Sequence, residues 1–468
     1  MDFINKCLNI DYTQNEALSN KSSLDACLDL FSLGVGSSNK YDLIEKAYSQ
    51  DPLLTTKIVF YLRDIRNGQG NRDILRTFIK FLFDQKKLEE IVKLIPYIPE
   101  IGRWKDIIEL IEYNSKIINK TVYSEIYKGF TDITKSGLIA KWLPRQGKIA
   151  NKLAKMFQIT RKEWRQSIVA LTDTVEQRMS ANKWQDIDYN KVPSIASKVY
   201  AKAFKKHDTY RYNQYLDSVL NGTKKIHSSV LYPHQIVSDV LKNISSKKTA
   251  EAQWKCLPDY MKDNHFNVLP VVDVSASMEV NIGKGVRAMD IALSLGLYFA
   301  EHNKDSYKDI VCTFSSKPSF QKIKGDSLYE RIKNLEHIDW GMNTNIQVVF
   351  DLILANSTSE NIPHIVLILS DMEFDQCSSF TQTNYECIKA KYAIKGIKIP
   401  TLVFWRISAL KSQQPVLKDD IGTILVNGYS PNILASILSG DIKNYTPLGF
   451  MLDLLKDRYT YLEKKVGD

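Results

Sequence analysis

Four short apolar runs in the C-terminal part of the chain are typical of strands that are buried on both faces. They read "VLPVVDV" (268–274), "DIVCTF" (309–314), "HIVLILS" (364–370) and "IPTLVFWRI" (399–407). Longer amphipathic segments lie between them, such as "GVRAMDIALSLGLYFAEH" (285–302). Because strands that alternate with helices form βαβ units, this part is predicted to be a doubly wound, mostly parallel α/β domain.

The N-terminal part of the chain has a different pattern. Segments such as "NRDILRTFIKFLFDQKKLEEIVKLIPYI" (71–98) carry apolar residues at three- and four-residue steps, which indicates helices. Breaks such as "RNGQGN" (66–71) and "LPRQGK" (143–148) are of the kind that joins antiparallel helices. A run of helix pairs without an exact repeat favours an all-α, HEAT-like helical repeat domain. We place the two domains at residues 1–255 and 262–468.

Composition narrows the class of protein. The 468 residues are 44% hydrophobic and 25% charged, which is ordinary for a chain that folds in water. The six cysteines show neither CxxC pairs nor regular spacing, which argues against a disulfide framework or a structural zinc site. The sequence shows no signal peptide and no apolar run of membrane-spanning length. We therefore expect a cytoplasmic protein with no membrane partner.

The positive charge of the chain is confined to its N-terminal part. Residues 1–260 hold 41 Lys+Arg against 29 Asp+Glu, whereas residues 261–468 hold 22 against 24. The basic residues are interleaved with aromatic ones such as Trp142, Trp164 and Tyr210. Although a charge run is usually a solvated face, this mixture is what phosphate contacts and base stacking on RNA require. The candidate RNA-binding residues are Lys141, Arg145, Lys148, Arg161, Lys162, Arg165 and Arg211.

Side-chain oxygens gather at the predicted carboxyl edge of the sheet. Asp273, Ser275 and Ser277 follow the first strand on alternate positions. Thr344 precedes a helix in a Gly/Asn-rich loop, and Asp371 ends another buried strand. Ligands of doubly wound sheets bind at this edge, and magnesium takes about six oxygen ligands. The pattern predicts a Mg²⁺ (or Mn²⁺) site, although an isolated Asp-x-Ser-x-Ser is at least as often a plain turn.

This five-residue set resembles the metal-ion-dependent adhesion site of von Willebrand factor A domains. The resemblance implies a von Willebrand A fold for residues 262–468. It implies that Asp273, Ser275, Ser277 and Thr344 line the ion directly or through water, with Asp371 holding a coordinating water. It also implies that a protein partner can donate an acidic side chain to the ion. Ala276 stands where many members have glycine, which is a small-for-small change.

The helical part has a resemblance of its own. It is similar to the module that precedes a von Willebrand A domain in the Ro autoantigen and telomerase-associated proteins, the TROVE family. The likeness rests on "RDIRNGQG" (63–70), "GRW" (102–104) and "KWLPRQGKIANKLAK" (141–155). The chain resembles still more closely an uncharacterised, DUF2828-like family with the same two-part layout in plants, fungi and giant viruses. The TROVE likeness implies a ribonucleoprotein that binds small structured non-coding RNA, whereas Asp64, Arg66 and Trp104 themselves favour a structural role.

Catalytic interpretations of the same residues are weaker. Haloacid-dehalogenase phosphatases also end their first strand on an aspartate, but they need a second acid two residues later, where this chain has Ser275. The sequence contains no GxSxG, HExxH or Walker motif. We therefore expect a non-enzymatic RNA-binding protein with a metal site. The alternative is an interaction scaffold that binds protein without RNA, and the remote alternative is a haloacid-dehalogenase-like hydrolase.

Overall fold

The predicted fold class is confirmed by a computed structural model in which a helical part precedes an α/β part. The structure describes residues 8–132, 134–172, 174–226, 231–262, 265–283, 285–314, 317–338, 344–376, 381–408, 411–440, 442 and 444–463. Most of the Gly/Asn-rich stretch that precedes Thr344, residues 339–343, lies outside them. Within the described residues, no helix combines the length and the apolar character needed to cross a membrane.

The helical part starts with a small antiparallel hairpin, β1 (Ile10–Tyr12) and β2 (Leu18–Asn20). Short and medium helices then follow one another as far as residue 255. They are α1 (Ala26–Leu33), α2 (Lys40–Gln50), α3 (Pro52–Arg63), α4 (Arg72–Asp84), α5 (Leu88–Leu94), α6 (Ile98–Ile101), α7 (Trp104–Glu109), α8 (Lys116–Thr131), α9 (Ser136–Ala140), α10 (Gly147–Met156), α11 (Arg161–Leu171), α12 (Val175–Ser180), α13 (Ser194–His207), α14 (Thr209–Leu220), α15 (Pro233–Leu241) and α16 (Lys247–Lys255).

Local signals explain where several of these helices begin. The Asp51 carboxylate accepts from the Leu54 amide 2.8 Å away, and Pro52 occupies the first turn of α3, where its missing N–H costs nothing. Asn71 caps α4 in the same way. Successive helices then pack on their neighbours, as α2, α3 and α4 do, which buries one apolar face of each.

The C-terminal part contains a six-stranded sheet. Its strands are β3 (Val268–Val272), β4 (Ile310–Thr313), β5 (Phe320–Lys322), β6 (Ile365–Ser370), β7 (Thr401–Arg406) and β8 (Thr423–Asn427). Their spatial order is β5-β4-β3-β6-β7-β8. Each pair is parallel except for β4 and the edge strand β5, which run antiparallel. Every residue of β3, β6, β7 and β8 is buried, as expected for strands that are covered on both faces.

The helices of this part are α17 (Ala288–His302), α18 (Leu328–Glu336), α19 (Ile346–Asn356), α20 (Asn384–Ile394), α21 (Ile433–Leu438) and α22 (Pro447–Leu455). The helix α17 packs directly on β3, β4 and β6. Its closest approach is at Gly296, where an added Cβ would collide with the side chain of Val272. This close packing of α17 fixes the position of the last residues of β3.

The two parts share an extensive seam. The helix α1 packs on β8, and α22 packs on α1 and α3. The N-terminal hairpin reaches the same side, because the Asn20 amide donates to the Gln414 carbonyl at 3.0 Å. Residues 8–33 therefore lie against the C-terminal sheet although they belong to the helical part of the sequence.

Candidate metal centre and basic surface

The candidate metal centre lies at the point where the connections of the sheet change direction. The strands β3 and β6 are parallel neighbours in the middle of the sheet, with β4 and β5 on one side and β7 and β8 on the other. Their register pairs Val272 with Leu369. Asp273 and Asp371 follow these two strands and therefore lie beside each other at the carboxyl edge. This is the switch point at which doubly wound sheets bind ligands.

The Asp-x-Ser-x-Ser stretch forms a tight loop that gathers its own oxygens. The Ser275 amide donates to Asp273 Oδ1 at 2.9 Å, and the Ser275 and Ser277 hydroxyls are 3.1 Å apart. A short 3-10 helix follows over Ala276–Glu279. Asp273 and Ser275 are almost fully buried, at 1% and 5% exposure. The three side chains of the predicted motif are thus brought together.

Asp371 leaves one carboxylate oxygen without a partner. Its Oδ1 accepts from the Glu373 amide at 3.1 Å, whereas its buried Oδ2 has no hydrogen bond within the described part of the chain. Burial, reinforced by the neighbouring charge of Asp371, raises the pKa of Asp273 well above its usual range. The two buried acids therefore repel each other. A cation placed between their oxygens would remove this cost.

Thr344 is held over the loop that follows β6. Its hydroxyl is 2.8 Å from the Glu373 carbonyl and 2.9 Å from Asp375 Oδ1, and its amide donates to Asp375 Oδ2 at 3.2 Å. The side-chain amide of Asn15 donates to the same hydroxyl at 2.9 Å. These bonds tie Thr344 to Asn15, Glu373 and Asp375, not to Asp273. The structure thus places Thr344 at the same edge but engages it with other partners.

The donor chemistry of this edge fits a hard cation. Carboxylate and hydroxyl oxygens are the ligands that magnesium and manganese take, and Asp371 Oδ2 is a negative atom that no described residue supplies with a donor. Among the described residues, no group of three or more His, Cys, Asp or Glu side chains is placed to hold a metal. Hydroxyl oxygens would therefore have to supply part of any coordination at this edge.

Sequence reasoning missed several residues that build this edge. The Ser370 hydroxyl donates to Asp273 Oδ2 at 2.6 Å, and Gln413 donates to the buried Glu373 carboxylate at 2.8 Å. Arg406 lies beneath them and donates to the Asp371 carbonyl at 3.2 Å; burial lowers the pKa of its guanidinium to about 10. The alternating acids of "SDMEFD" (370–375) are the signal that could have indicated a wider polar cluster.

The predicted basic surface maps to α10, α11 and the turns before them. Residues 134–172 contain nine Lys+Arg against one acid, Glu163. That acid already caps α11, where it accepts from the Thr160 amide at 2.7 Å. Six of the predicted RNA-binding residues are exposed here, namely Lys141, Arg145, Lys148, Arg161, Lys162 and Arg165. Their charge is therefore not neutralised by acids of the same segment.

Three of these arginines line one hollow. Arg145, Arg161 and Arg165 surround a depression of about 360 Å³ together with Gln146 and Asn151. Gly147, with φ +91°, starts α10 at its edge, and an added Cβ there would meet no atom within 4 Å. The hollow is open, polar and positive, which suits a phosphate group.

The aromatic residues and Arg211 are placed differently from the exposed cations. Trp164 is only 1% exposed, and its indole N–H donates to the Pro144 carbonyl at 3.1 Å. Arg211 donates to Asp208 at 2.9 Å and to the Ile187 carbonyl at 2.8 Å. Tyr210 is 73% exposed. Trp164 therefore anchors the core, Arg211 connects residues 187 and 208, and the ring of Tyr210 is open to solvent.

Comparisons with known proteins agree with the two-part layout. The profile of the domain of unknown function DUF7788 matches residues 267–447, and that of the domain of unknown function DUF2828 matches residues 13–116 and 133–265. An uncharacterized protein of Acanthamoeba polyphaga mimivirus is 27% identical over 510 aligned positions, which cover 96% of this chain and 87% of that protein.

Among solved structures, the RO (RSR) protein of Deinococcus radiodurans is similar to this chain, with 11% identity and a TM-score of 0.42. The similarity covers 93% of this chain and 100% of that protein. The predicted likeness to the DUF2828-like family is confirmed. The likeness of the C-terminal part to von Willebrand A domains stays a prediction. Because the DUF2828 profile covers more than half of its residues, the chain belongs to the DUF2828 family.

Proposed function

We propose that this protein is a non-enzymatic RNA-binding protein that uses its helical part to hold structured RNA. The observation that carries the proposal is the exposed surface of α10 and α11, which carries six basic residues and a single acid that is engaged in a helix cap. Phosphate contacts dominate the affinity of proteins for nucleic acids, and they require unneutralised Lys and Arg side chains of this kind. The hollow lined by Arg145, Arg161 and Arg165 would bind one phosphate group. The exposed Lys and Arg side chains around it would contact neighbouring phosphates of the RNA.

Charge reversal tests this proposal on the full chain. Replacing Lys141, Arg145 and Lys148 by Glu should weaken binding of a structured RNA at least tenfold at about 0.1 M salt, and wild-type affinity should fall steeply as salt rises. The matched control reverses three exposed lysines of the C-terminal part, Lys389, Lys395 and Lys398, with the same change in net charge. Equal loss in both variants, or affinity that ignores salt, would contradict the proposal. Binding of protein but not RNA would favour the scaffold alternative.

We further propose that the C-terminal part binds one Mg²⁺ or Mn²⁺ ion in the manner of a von Willebrand A domain. The buried Asp371 Oδ2 beside Asp273, which has no hydrogen-bond partner in the described ranges, supports the proposal. The ligands would come from Asp273, Ser275, Ser277 and Thr344, and Asp371 would hold a coordinating water. A partner's acidic side chain could then complete the coordination of the ion.

Thermal unfolding with and without the ion tests the metal site. Mg²⁺ at about 100 times its dissociation constant should stabilise the wild type by about 2.7 kcal/mol, and chelator should reverse this. Asp273→Ala should abolish the response because the site loses its principal charge. Thr344→Ala should only weaken it, since water can replace a neutral oxygen. Equal responses in wild type and Asp273→Ala would mean that the Asp-x-Ser-x-Ser loop is a turn without an ion.

A further inference from the structure

We infer that the N-terminal turn, residues 13–17, is a built-in latch on the metal centre, and that ion binding and release of this turn are coupled through Asn15. The inference rests on the proposed metal site. It concerns a segment that lies more than 300 positions away in sequence from the loop that it covers.

Asn15 places its side-chain amide on three oxygens of the site's rim. Its Nδ2 donates to Thr344 Oγ1 at 2.9 Å, to the Glu373 carbonyl at 2.8 Å and to Asp375 Oδ1 at 3.0 Å. Asn15 itself is exposed, whereas Thr344 beneath it is only 1% exposed. A partner's carboxylate therefore cannot approach Thr344 while this turn is in place.

The rest of the turn is fastened to the same loop. The Thr13 hydroxyl donates to the Phe374 carbonyl at 2.7 Å, and the Gln14 amide donates to the Glu373 carboxylate at 2.5 Å. An isolated antiparallel bridge joins Glu16 to Asp375. Glu16 sits in the left-handed region at φ +63°, a conformation that costs a non-glycine residue about 1 kcal/mol. The turn is thus held by these polar bonds and by the buried side chains of Thr13 and Ala17, and it carries some strain at Glu16.

The chemistry of the Thr344 hydroxyl makes the two ligands compete. A hydroxyl oxygen has two lone pairs and one hydrogen. Here the hydrogen faces Glu373 and Asp375, and one lone pair already accepts the Asn15 amide hydrogen. A cation on this oxygen would bring its charge close to the partly positive hydrogen of that amide and weaken its hydrogen bond. The bond in turn must be weakened before Thr344 can turn fully to the ion.

The size of the coupling follows from the strength of the hydrogen bond between Asn15 and Thr344. One hydrogen bond contributes about 0.5–1.5 kcal/mol, which corresponds to about 2- to 12-fold in a binding constant. Because linkage is reciprocal, the ion should loosen the turn by the same factor by which loss of Asn15 tightens the ion. Two independent measurements must therefore agree.

The test titrates Mn²⁺ calorimetrically into the full chain and follows amide hydrogen exchange of residues 8–20 with and without the ion. Asn15→Ala should bind Mn²⁺ about 2- to 12-fold more tightly than wild type. Saturating Mn²⁺ should speed exchange in the wild-type turn by a similar factor. The control is Asn356→Ala at the C-terminal end of α19, which removes an exposed side-chain bond to the Leu352 carbonyl and leaves the hairpin intact, and its Mn²⁺ affinity should equal that of wild type.

The outcomes separate the latch from the site. Equal Mn²⁺ affinity in wild type and Asn15→Ala, with unchanged exchange, would overturn the latch while the metal site stands. Weaker binding by Asn15→Ala would overturn it as well, because the turn would then support the ion. Binding by neither protein would overturn the proposed metal site and the latch with it.

Discussion

At the scale of single residues, the candidate metal centre is a place where burial and charge oppose each other. Asp273 satisfies both of its oxygens, through the Ser275 amide and the Ser370 hydroxyl. Asp371 satisfies only one, and its other oxygen is buried without a donor among the residues that the structure describes. A folded domain keeps such a group only if something else compensates; the buried guanidinium of Arg406 does so in part, and a bound cation would complete the compensation.

Asp371→Asn tests this balance without changing the shape of the side chain. At pH 8, in chelator, the variant should be more stable than wild type by about 1 kcal/mol, because one of two adjacent buried charges is gone. It should also respond less to Mg²⁺. The matched control is Asp375→Asn, whose carboxylate accepts from both the amide and the hydroxyl of Thr344 and should therefore lose about 1 kcal/mol. Urea unfolding measures both, and a less stable Asp371→Asn would contradict the account.

Some of this site could be predicted from the sequence, for a physical reason. Asp273 and Asp371 each end an apolar run, and parallel strands bring such ends to one edge. Asn15 could not be found in the same way. Its contacts to Thr344 and Asp375 span 329 and 360 residues, and no local periodicity encodes which turn will dock there. The burial of Trp164 could not be predicted either. An aromatic residue among basic residues gives the same sequence pattern whether it packs in the core or stacks on a base.

At the scale of elements, the turn "RDIRNGQG" (63–70) is a joint between the two parts of the molecule. The Gln69 side chain accepts from the Ser430 amide at 3.3 Å, the Gly68 carbonyl accepts from Asn432 at 3.3 Å, and the Tyr459 hydroxyl donates to Asp64 at 2.9 Å. Asp64 thus has the structural role that the sequence favoured for it. The turn that the sequence singled out docks the C-terminal part on the helices.

Gly428 is the position that makes this joint close. It has φ +102°, and an added Cβ would collide with the side-chain amide of Gln69. Gly428→Ala should therefore lose about 1–2 kcal/mol from backbone strain and about 1 kcal/mol more from the displaced Gln69.

The control for this prediction is Gly422→Ala. Gly422 has φ +78° and no atom within 4 Å of an added Cβ. The loss of stability in Gly422→Ala therefore measures the backbone strain without a steric collision. Chemical denaturation compares the stabilities of the two variants. Equal losses would mean that the Gln69 side chain can move away without cost and that the joint is not tightly packed.

At the scale of the whole molecule, the two parts are joined by buried polar groups as well as by apolar ones. His234 on α15 lies in this seam, with its ring 5.8 Å from that of Tyr429, which follows β8. It is only 6% exposed, and its Nδ1 has no partner among the described residues. Burial, with a smaller contribution from Lys198 and against the opposing charge of Asp290, lowers the pKa of His234 to about 3. The seam therefore requires a neutral imidazole.

This requirement predicts how the molecule responds to acid. Because the folded pKa lies below the ordinary value of about 6.5, the contribution of His234 to stability is complete above pH 6.5 and is lost as pH falls toward 3. At pH 5 the loss should reach about 2 kcal/mol. Other groups titrate in this range, Asp273 with the opposite sign, so the measurement is the difference between wild type and His234→Phe, which keeps an aromatic ring but cannot take a proton. Urea unfolding gives the free energy of unfolding of both proteins at pH 8 and pH 5. Between these two pH values, the stability of His234→Phe relative to wild type should rise by about 2 kcal/mol. A difference that does not change with pH would mean that water reaches His234 and that the seam opens without cost.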